Sequence, residues 1–164
     1  MKKILVFFVI FIFFGCIQYI HASGCMPDSY YRDILQKRNW KLIQIQDNDI
    51  ITNFNRTNMS IKGNRKYFTI NFCEQYFSGI TINSEFKTPY TITGNSRGDF
   101  NITEIDKNIL SIDNEYNGIT EEKYYDYLNN ANKWWLYRDS LFKKWKLYLI
   151  IENENNKIAL TFSY

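Results

Sequence analysis

The chain has 164 residues, of which 45% are hydrophobic and 18% aromatic, enough to bury the core of one domain. Only seven glycines and two prolines occur, which excludes a linker or a disordered tail. The formal net charge of +3 falls to about +1 once Lys2 and Lys3 are removed with the amino-terminal segment, so the basic footprint of a nucleic-acid-binding protein is missing.

Residues 1–22 have the pattern of an export signal. The chain starts Met1-Lys2-Lys3, and residues 4–14 then form an apolar run without a polar residue. A positive start before a short apolar run is typical of a secretory signal peptide, whereas a membrane-spanning helix needs about 20 apolar residues. The sequence therefore predicts an exported protein with a cleaved signal, and an uncleaved membrane anchor is the alternative.

The position of the cut decides whether the protein carries a lipid. Gly15-Cys16 resembles a lipobox, in which Cys16 receives a lipid and becomes the new amino terminus. A cut after Ala22 by ordinary signal peptidase and a second lipobox ending at Cys25 are the alternatives. The prediction is a lipoprotein of the outer membrane or periplasm, anchored to the membrane through Cys16, or alternatively a soluble periplasmic or secreted protein.

Cysteine parity bears on the same choice, because exported proteins favour paired thiols. Lipidation at Cys16 and cleavage after Ala22 both leave Cys25 and Cys73, whereas lipidation at Cys25 leaves Cys73 alone. A Cys25–Cys73 disulfide is therefore predicted. Two buried free cysteines are the alternative.

Residues 23–37 are expected to form a tether that continues into a short helix, and residues 38–164 a β-rich domain. Asp28 suits a helix N-cap, and Tyr31, Ile34 and Leu35 follow at helical spacing. Beyond residue 38 the chain shows short β-prone segments separated by turn residues. The predicted strands cover residues 39–45, 50–51, 59–61, 66–72, 79–83, 90–93, 100–105, 109–112, 134–137, 141–151 and 158–164.

A longer helix is predicted over about residues 120–131. Thr120 suits its N-cap, Glu121 and Glu122 favour the positive end of its dipole, and Tyr124 and Leu128 lie on one face. Strands, then one helix, then a final meander predict a β-rich α+β fold. The expected architecture is a small barrel-like antiparallel sheet whose main helix covers one open end or face.

The order of these landmarks resembles the META/HslJ family of bacterial envelope proteins over residues 38–164. The family's first strand carries Trp-x-Leu, similar to residues 40–42, and its Cys-Asn-x-Phe-x-Gly segment is similar to residues 73–79, which have one extra residue and lack the Asn. Its acid-headed helix and terminal Leu-x-Phe are similar to residues 121–131 and 160–162. The resemblance implies a non-enzymatic bacterial domain, commonly a lipoprotein, associated with heat or antibiotic stress and sometimes with secretion or virulence.

Histidine chemistry is excluded from the folded domain, because the single histidine, His21, lies in the signal or the tether. This removes Ser-His-Asp and Cys-His sites and histidine zinc ligands, and two cysteines alone cannot complete a zinc site. No catalytic residue, metal or cofactor is therefore predicted. A carboxylate hydrolase is the weaker alternative, and the acids available to it are Glu74, Glu85, Asp99, Glu104, Glu121 and Glu122.

Aromatic residues near the carboxyl end are candidates for a binding face. Trp134, Trp135, Tyr137 and Trp145 lie close to several lysines and suit a glycan or protein partner, although most rings of a small barrel are expected to fill its core. Asn101 begins an Asn-x-Thr glycosylation acceptor.

The expected function is that of a non-enzymatic exported envelope protein with a binding or envelope stress-related role. The alternative is a secreted ligand-binding or inhibitor module, either lipocalin-like or directed against a hydrolase. Its motivation is the aromatic excess on a small β-rich domain that carries a predicted disulfide.

Overall fold

A computed structural model of the chain describes residues 28–54, 68–81, 84–105, 115–154 and 156–164. Cys16, Cys25 and the predicted signal lie outside the described residues, as do the predicted strands at 59–61 and 109–112. In the described ranges neither helix is long and apolar enough to cross a membrane. The elements are α1 (Asp28–Gln36), β1 (Trp40–Asp47), β2 (Ile50–Asn53), β3 (Thr69–Phe72), β4 (Tyr76–Ile80), β5 (Glu85–Ile92), β6 (Arg97–Ile102), β7 (Glu115–Tyr116), β8 (Ile119–Thr120), α2 (Glu121–Asn130), β9 (Lys133–Arg138), β10 (Trp145–Asn153) and β11 (Asn156–Ser163).

Eight of the strands close into an antiparallel barrel. Their order is β1-β3-β4-β5-β6-β9-β10-β11, and β11 pairs back onto β1 from Lys41 opposite Ser163 to Asp47 opposite Ile158. The short strand β2 pairs with the end of β1, and β7 and β8 form a separate hairpin. The predicted β-rich α+β fold with a barrel-like sheet, a short amino-terminal helix and one main helix is confirmed.

Alternation along each strand decides which side chains fill the barrel, because successive residues of a strand point to opposite faces. In β10, Trp145, Leu147 and Leu149 are buried, and the residues between them are half-buried. Strand β1 breaks this rule, since its buried residues Leu42 and Ile45 are three apart. A shift in the β1–β11 register after Leu42 inserts the extra residue, as a β-bulge does, and returns Ile45 to the interior.

Aromatic rings occupy the interior. Phe72, Phe77 and Phe100 are fully buried, and their ring centroids lie 5.1 to 6.2 Å apart. An eight-stranded barrel is just wide enough for side chains to fill it. The buried side chains of the described interior form one packed core, and the two depressions described below lie on the outer wall.

A helix covers each end of the barrel. Helix α1 packs at the end that holds the β9–β10 turn, where Tyr30 and Tyr31 meet Trp145 at ring-centroid distances of 6.2 Å. Helix α2 packs at the opposite end, where Tyr125 meets Phe86 at 5.4 Å. We call these the α1 end and the α2 end. Every described element begins at Asp28 or later, so a chain starting at Ser23 contains every described strand and helix and their shared core.

Several predicted strand starts are wrong, among them those at 79 and 100, since β4 begins at Tyr76 and β6 at Arg97. The strand predicted at 141–151 begins only at Trp145, because residues 140–144 belong to a turn that the Asp139 carboxylate caps. The strand predicted to start after Pro89 begins at Glu85. Proline is tolerated there because β5 pairs with β4 up to Pro89 and with β6 from Tyr90 onwards, so the missing N–H falls where the strand changes partner.

Candidate ligand-binding face

The four predicted face residues do not share a face. Trp134 and Trp145 are only 2% and 8% exposed, whereas Trp135 and Tyr137 are 42% and 40% exposed. Neighbouring residues of a strand point to opposite sides, so Trp134 and Trp135 cannot both lie on the outer wall. The prediction of a single four-ring binding face is therefore wrong for Trp134 and Trp145, which belong to the core.

The two buried tryptophans have structural partners. The indole N–H of Trp134 donates a hydrogen bond of 2.8 Å to the backbone carbonyl of Thr93, across the β5–β6 turn. Trp145 packs edge-on against Tyr30 and Tyr31 and so holds α1 on the barrel. Burying rings of this size contributes to stability through apolar area and directed ring contacts.

Tyr148 lies on the outer wall, unlike the two buried tryptophans. It lies opposite Trp135 in the β9–β10 register, and the two rings stack with centroids 5.4 Å apart and planes 28° apart. Tyr137 lies 5.6 Å from Trp135 on the other side along the strand. We call Trp135, Tyr137 and Tyr148 the aromatic face. The sequence shows Tyr148 at an outward position of β10, but only the strand register brings it to Trp135.

A groove of about 400 Å³ runs beside Trp135 on the same outer wall. Ile150 is half-buried in it, and Arg97, Lys133 and Glu152 contribute exposed charged side chains. Its volume lies within the range of small-ligand sites, about 300–1,000 Å³. The groove therefore combines one ring face, one aliphatic surface and polar groups of both signs.

Two charged groups of the groove, Lys133 and Glu152, are paired with neighbouring side chains while staying exposed. Lys133 Nζ lies 2.6 Å from Asp99 Oδ1, and Lys157 Nζ lies 3.0 Å from Glu152 Oε1. The hydrogen bond from Lys133, followed by one from Thr93, lowers the pKa of the Asp99 carboxyl, and the Asp99 carboxylate raises the pKa of Lys133. Exposed pairs of this kind stabilise a fold little, so their effect is to orient charge along the groove.

The phenol of Tyr148 stays protonated at neutral pH. Partial burial under its neighbours raises its pKa, and the nearby Tyr137 and Asp139 raise it further. A protonated phenol both donates and accepts a hydrogen bond. The aromatic face therefore offers a polar edge as well as its ring surfaces.

Asn101 lies exposed on β6 beside a smaller depression of about 220 Å³, whose wall is formed by residues 89–91 and 101–103. None of these side chains is charged. The site is accessible to a modifying enzyme, and glycosylation of Asn101 stays a prediction.

A buried carboxylate lies at the α2 end. Glu121, the first residue of α2, is 3% exposed and accepts hydrogen bonds from the hydroxyls of Thr81 and, at 3.2 Å, Ser84. The amino-terminal end of a helix favours a negative charge. Burial raises the pKa of the neighbouring Tyr125, and the charge of Glu121 raises it further. The hydrogen bonds from Thr81 and Ser84 to Glu121 therefore hold α2 against the β4–β5 connection.

The other acids considered for hydrolysis do not join Glu121 in a buried pair. Glu74, Glu85, Asp99, Glu104 and Glu122 are all exposed. A glycosidase needs two carboxylates across one bond, with one of them in an environment that shifts its pKa. In the described ranges no group of three or more His, Cys, Asp or Glu side chains could hold a metal ion.

Cys73 lies half-buried in the turn between β3 and β4, at the α1 end. Its backbone N–H donates to the carbonyl of Tyr76 at 2.8 Å, and its own carbonyl accepts from the Tyr90 hydroxyl at 2.8 Å. The chain enters α1 at Asp28, three residues after Cys25, at this same end. Cys25 lies outside the described residues, and the Cys25–Cys73 bridge stays a prediction.

Comparison of the chain with protein-family models, with curated proteins and with solved structures finds no match. The resemblance to the META/HslJ family therefore stays a prediction, and the residues of the site are what indicate a function.

Proposed function

We propose that this protein is a non-enzymatic exported envelope domain that binds a ligand on the outer wall of its barrel, in the groove beside Trp135. The observation that carries the proposal is the placement of the rings. The interior is packed with aromatic side chains, yet Trp135 and Tyr137 remain about two-fifths exposed next to a groove lined by charged groups. Exposed clusters of large apolar side chains with a polar rim mark binding sites on soluble domains.

The ligand class that fits this groove best is a saccharide. A sugar ring has an apolar C–H face, which Trp135 and Ile150 match, and an edge of hydroxyls, which the charged side chains of Arg97, Lys133 and Glu152 match. Charged donors and acceptors form stronger hydrogen bonds than neutral ones. Envelope polysaccharides are the source to be expected for an exported protein.

The remaining parts of the proposal come from the sequence. The predicted export signal and the predicted lipid anchor at Cys16 support a location in the outer membrane or periplasm as a lipoprotein. The resemblance to META/HslJ proteins adds a role in envelope stress. Glycan binding is one way in which such a domain supports envelope integrity.

A second candidate function, an inhibitor or binding module directed at a protein, uses the same rings. Its specific support is that Tyr137 and Tyr148 extend the aromatic surface beyond the groove, and that tyrosine, tryptophan and arginine are the residues most enriched at the centre of protein interfaces.

The test is a calorimetric titration of the chain from Ser23 with soluble peptidoglycan fragments and with lipopolysaccharide-derived oligosaccharides. Replacing Trp135 by Ala removes the ring wall, and we expect it to weaken binding by about 30-fold, the factor that corresponds to roughly 2 kcal/mol for a central aromatic contact. Phe142→Ala is the control, because Phe142 is an exposed ring that lies outside the groove, 72% exposed against 42% for Trp135.

Equal loss in the two variants, or no binding of either saccharide class, would contradict the saccharide proposal. If the saccharides do not bind, but a host or envelope protein binds the parent and does not bind the Trp135→Ala variant, the second candidate function is supported. Thermal melts must show that both variants fold; Phe142→Ala should match the parent, and Trp135→Ala should lose a little stability, because Trp135 is 42% exposed and stacks on Tyr148.

A further inference from the structure

The turn between β9 and β10 carries an exposed apolar pair. Leu141 and Phe142 are 86% and 72% exposed, the highest values among the large hydrophobic side chains of the described residues. Single exposed apolar residues are common on protein surfaces, but two adjacent ones at the tip of a hairpin are not explained by the fold itself.

The turn is built so that it holds this pair outward. The Asp139 carboxylate accepts hydrogen bonds from the backbone N–H groups of Leu141 and Phe142, at 3.0 and 3.2 Å. The backbone N–H of Asp139 donates to the carbonyl of Lys144 at 2.8 Å and closes the turn. Lys143 has a φ of 52°, in the left-handed region that ends such turns. The two apolar side chains are therefore presented by a hydrogen-bonded turn.

Positive charge surrounds the tip. Arg138, Lys143 and Lys144 are exposed, and the single carboxylate within the turn, Asp139, is engaged by the two backbone N–H groups. Apolar side chains framed by lysine and arginine are the composition that binds at the boundary between lipid headgroups and acyl chains of anionic membranes.

The tip also lies at the end of the barrel where the amino-terminal segment joins. Helix α1 begins at Asp28 and packs against Trp145, the first residue of β10, through Tyr30 and Tyr31. The chain therefore joins the domain at the α1 end, on the side from which a lipid at Cys16 would tether it. The exposed apolar pair and the predicted anchor would face the same surface.

We propose that the 139–144 turn is a membrane-docking tip, in which Leu141 and Phe142 insert into the interface of an anionic phospholipid bilayer while Lys143 and Lys144 contact the phosphate headgroups. One turn supplies weak and reversible binding, so its effect is to orient a domain that a lipid already tethers. Docking at the α1 end leaves the groove beside Trp135 on the side wall. The inference goes beyond saccharide binding and does not rest on it.

The test measures binding of the chain from Ser23 to phosphatidylcholine vesicles with and without phosphatidylglycerol, by co-sedimentation. The double variant Leu141→Ser with Phe142→Ser removes the apolar pair, and we expect at least a tenfold loss of affinity. Lys143→Asn with Lys144→Gln removes two charges, and we expect about a fivefold loss per lysine, together with a weaker dependence on salt. Asparagine is chosen at position 143 because it tolerates positive φ.

A matched control exists at the opposite end of the barrel. Ile50 and Ile51 are a second adjacent apolar pair, 70% and 54% exposed, in the strand that follows the β1–β2 turn at the α2 end. Ile50→Ser with Ile51→Ser should leave vesicle binding unchanged, and the same is expected of Trp135→Ala.

Absence of binding by the folded parent to phosphatidylglycerol vesicles would overturn the proposal. An equal loss in the Ile50/Ile51 variant and the Leu141/Phe142 variant would do the same, because it would show nonspecific adhesion. A loss of vesicle binding on Trp135→Ala would move the membrane contact to the aromatic face. Retention of vesicle binding together with failure of the saccharide titration would leave the docking tip standing and remove only the proposed ligand.

Discussion

Replacing Glu121 by Ala should destabilise the fold by about 3 kcal/mol. The Ser84 hydroxyl, buried at 7% exposure, loses its carboxylate acceptor, and an orphaned buried hydroxyl is destabilising by about 1–3 kcal/mol. The Thr81 hydroxyl can turn to the carbonyl of Ser84 at 3.0 Å, so it loses only the difference between a charged and a neutral acceptor, about 1 kcal/mol. The lost carboxylate at the first turn of α2 adds about 0.3–1 kcal/mol.

Glu122→Ala is the control for this prediction, because Glu122 is the next residue of the same helical turn but is exposed. It loses only the helix-end interaction, about 0.3–1 kcal/mol. Urea unfolding of the chain from Ser23, followed by tryptophan fluorescence, measures both variants, and a loss of about 3 kcal/mol corresponds to a midpoint shift of about 1–2 M. If Glu121→Ala and Glu122→Ala unfold within about 0.5 kcal/mol of each other, the buried cluster does not hold α2 in the way described.

Three further predictions concern single positions. Tyr124→Phe removes a fully buried hydroxyl that has no hydrogen-bond partner in the described part of the chain, so urea unfolding should show a variant as stable as the parent or up to about 1 kcal/mol more stable. Gly79→Ala places a Cβ against the backbone carbonyl of Thr69 in the paired strand, so we expect a loss of about 1–3 kcal/mol in the same assay. Lys133→Met removes the main cause of the lowered pKa of Asp99, so NMR titration should show that pKa rising towards its ordinary value of 3.8. A carboxyl whose pKa is lowered by folding stabilises the protein at pH values above its ordinary pKa, and this stabilisation is lost as the pH falls through the folded-state pKa. The variant lacks this contribution and should therefore lose less stability on acidification.

Local signals in the sequence predict α2 well, because a helix is encoded by contacts within a few residues. Thr120 is its N-cap, and the Thr120 hydroxyl accepts a hydrogen bond from the backbone N–H of Lys123 at 3.1 Å. The acidic first turn and the buried face of Tyr124 and Leu128 also lie where the spacing indicates. Strand alternation in β10 is equally local, since its buried residues from Trp145 to Ile151 occur at every second position.

The candidate site could be predicted only in part. Trp135 and Tyr137 are outward-facing as the binding hypothesis requires, but Trp134 and Trp145 are in the core, and Tyr148 was missed. Aromatic residues that lie close together in the sequence need not lie on the same face of the barrel. Only the alternation, combined with the partner strand, separates rings that bind from rings that pack.

The sequence by itself therefore determined the fold class, the two helices and most of the strands, because capping, dipoles and alternation act between residues close in the chain. The tertiary structure alone decided the register that stacks Trp135 on Tyr148, the bulge after Leu42 and the closure of β11 onto β1. It also decided that Leu141 and Phe142 stand out in a turn and do not begin a strand. These features depend on hydrogen bonds between distant segments or on one carboxylate capping the backbone, and residue propensities do not encode such choices.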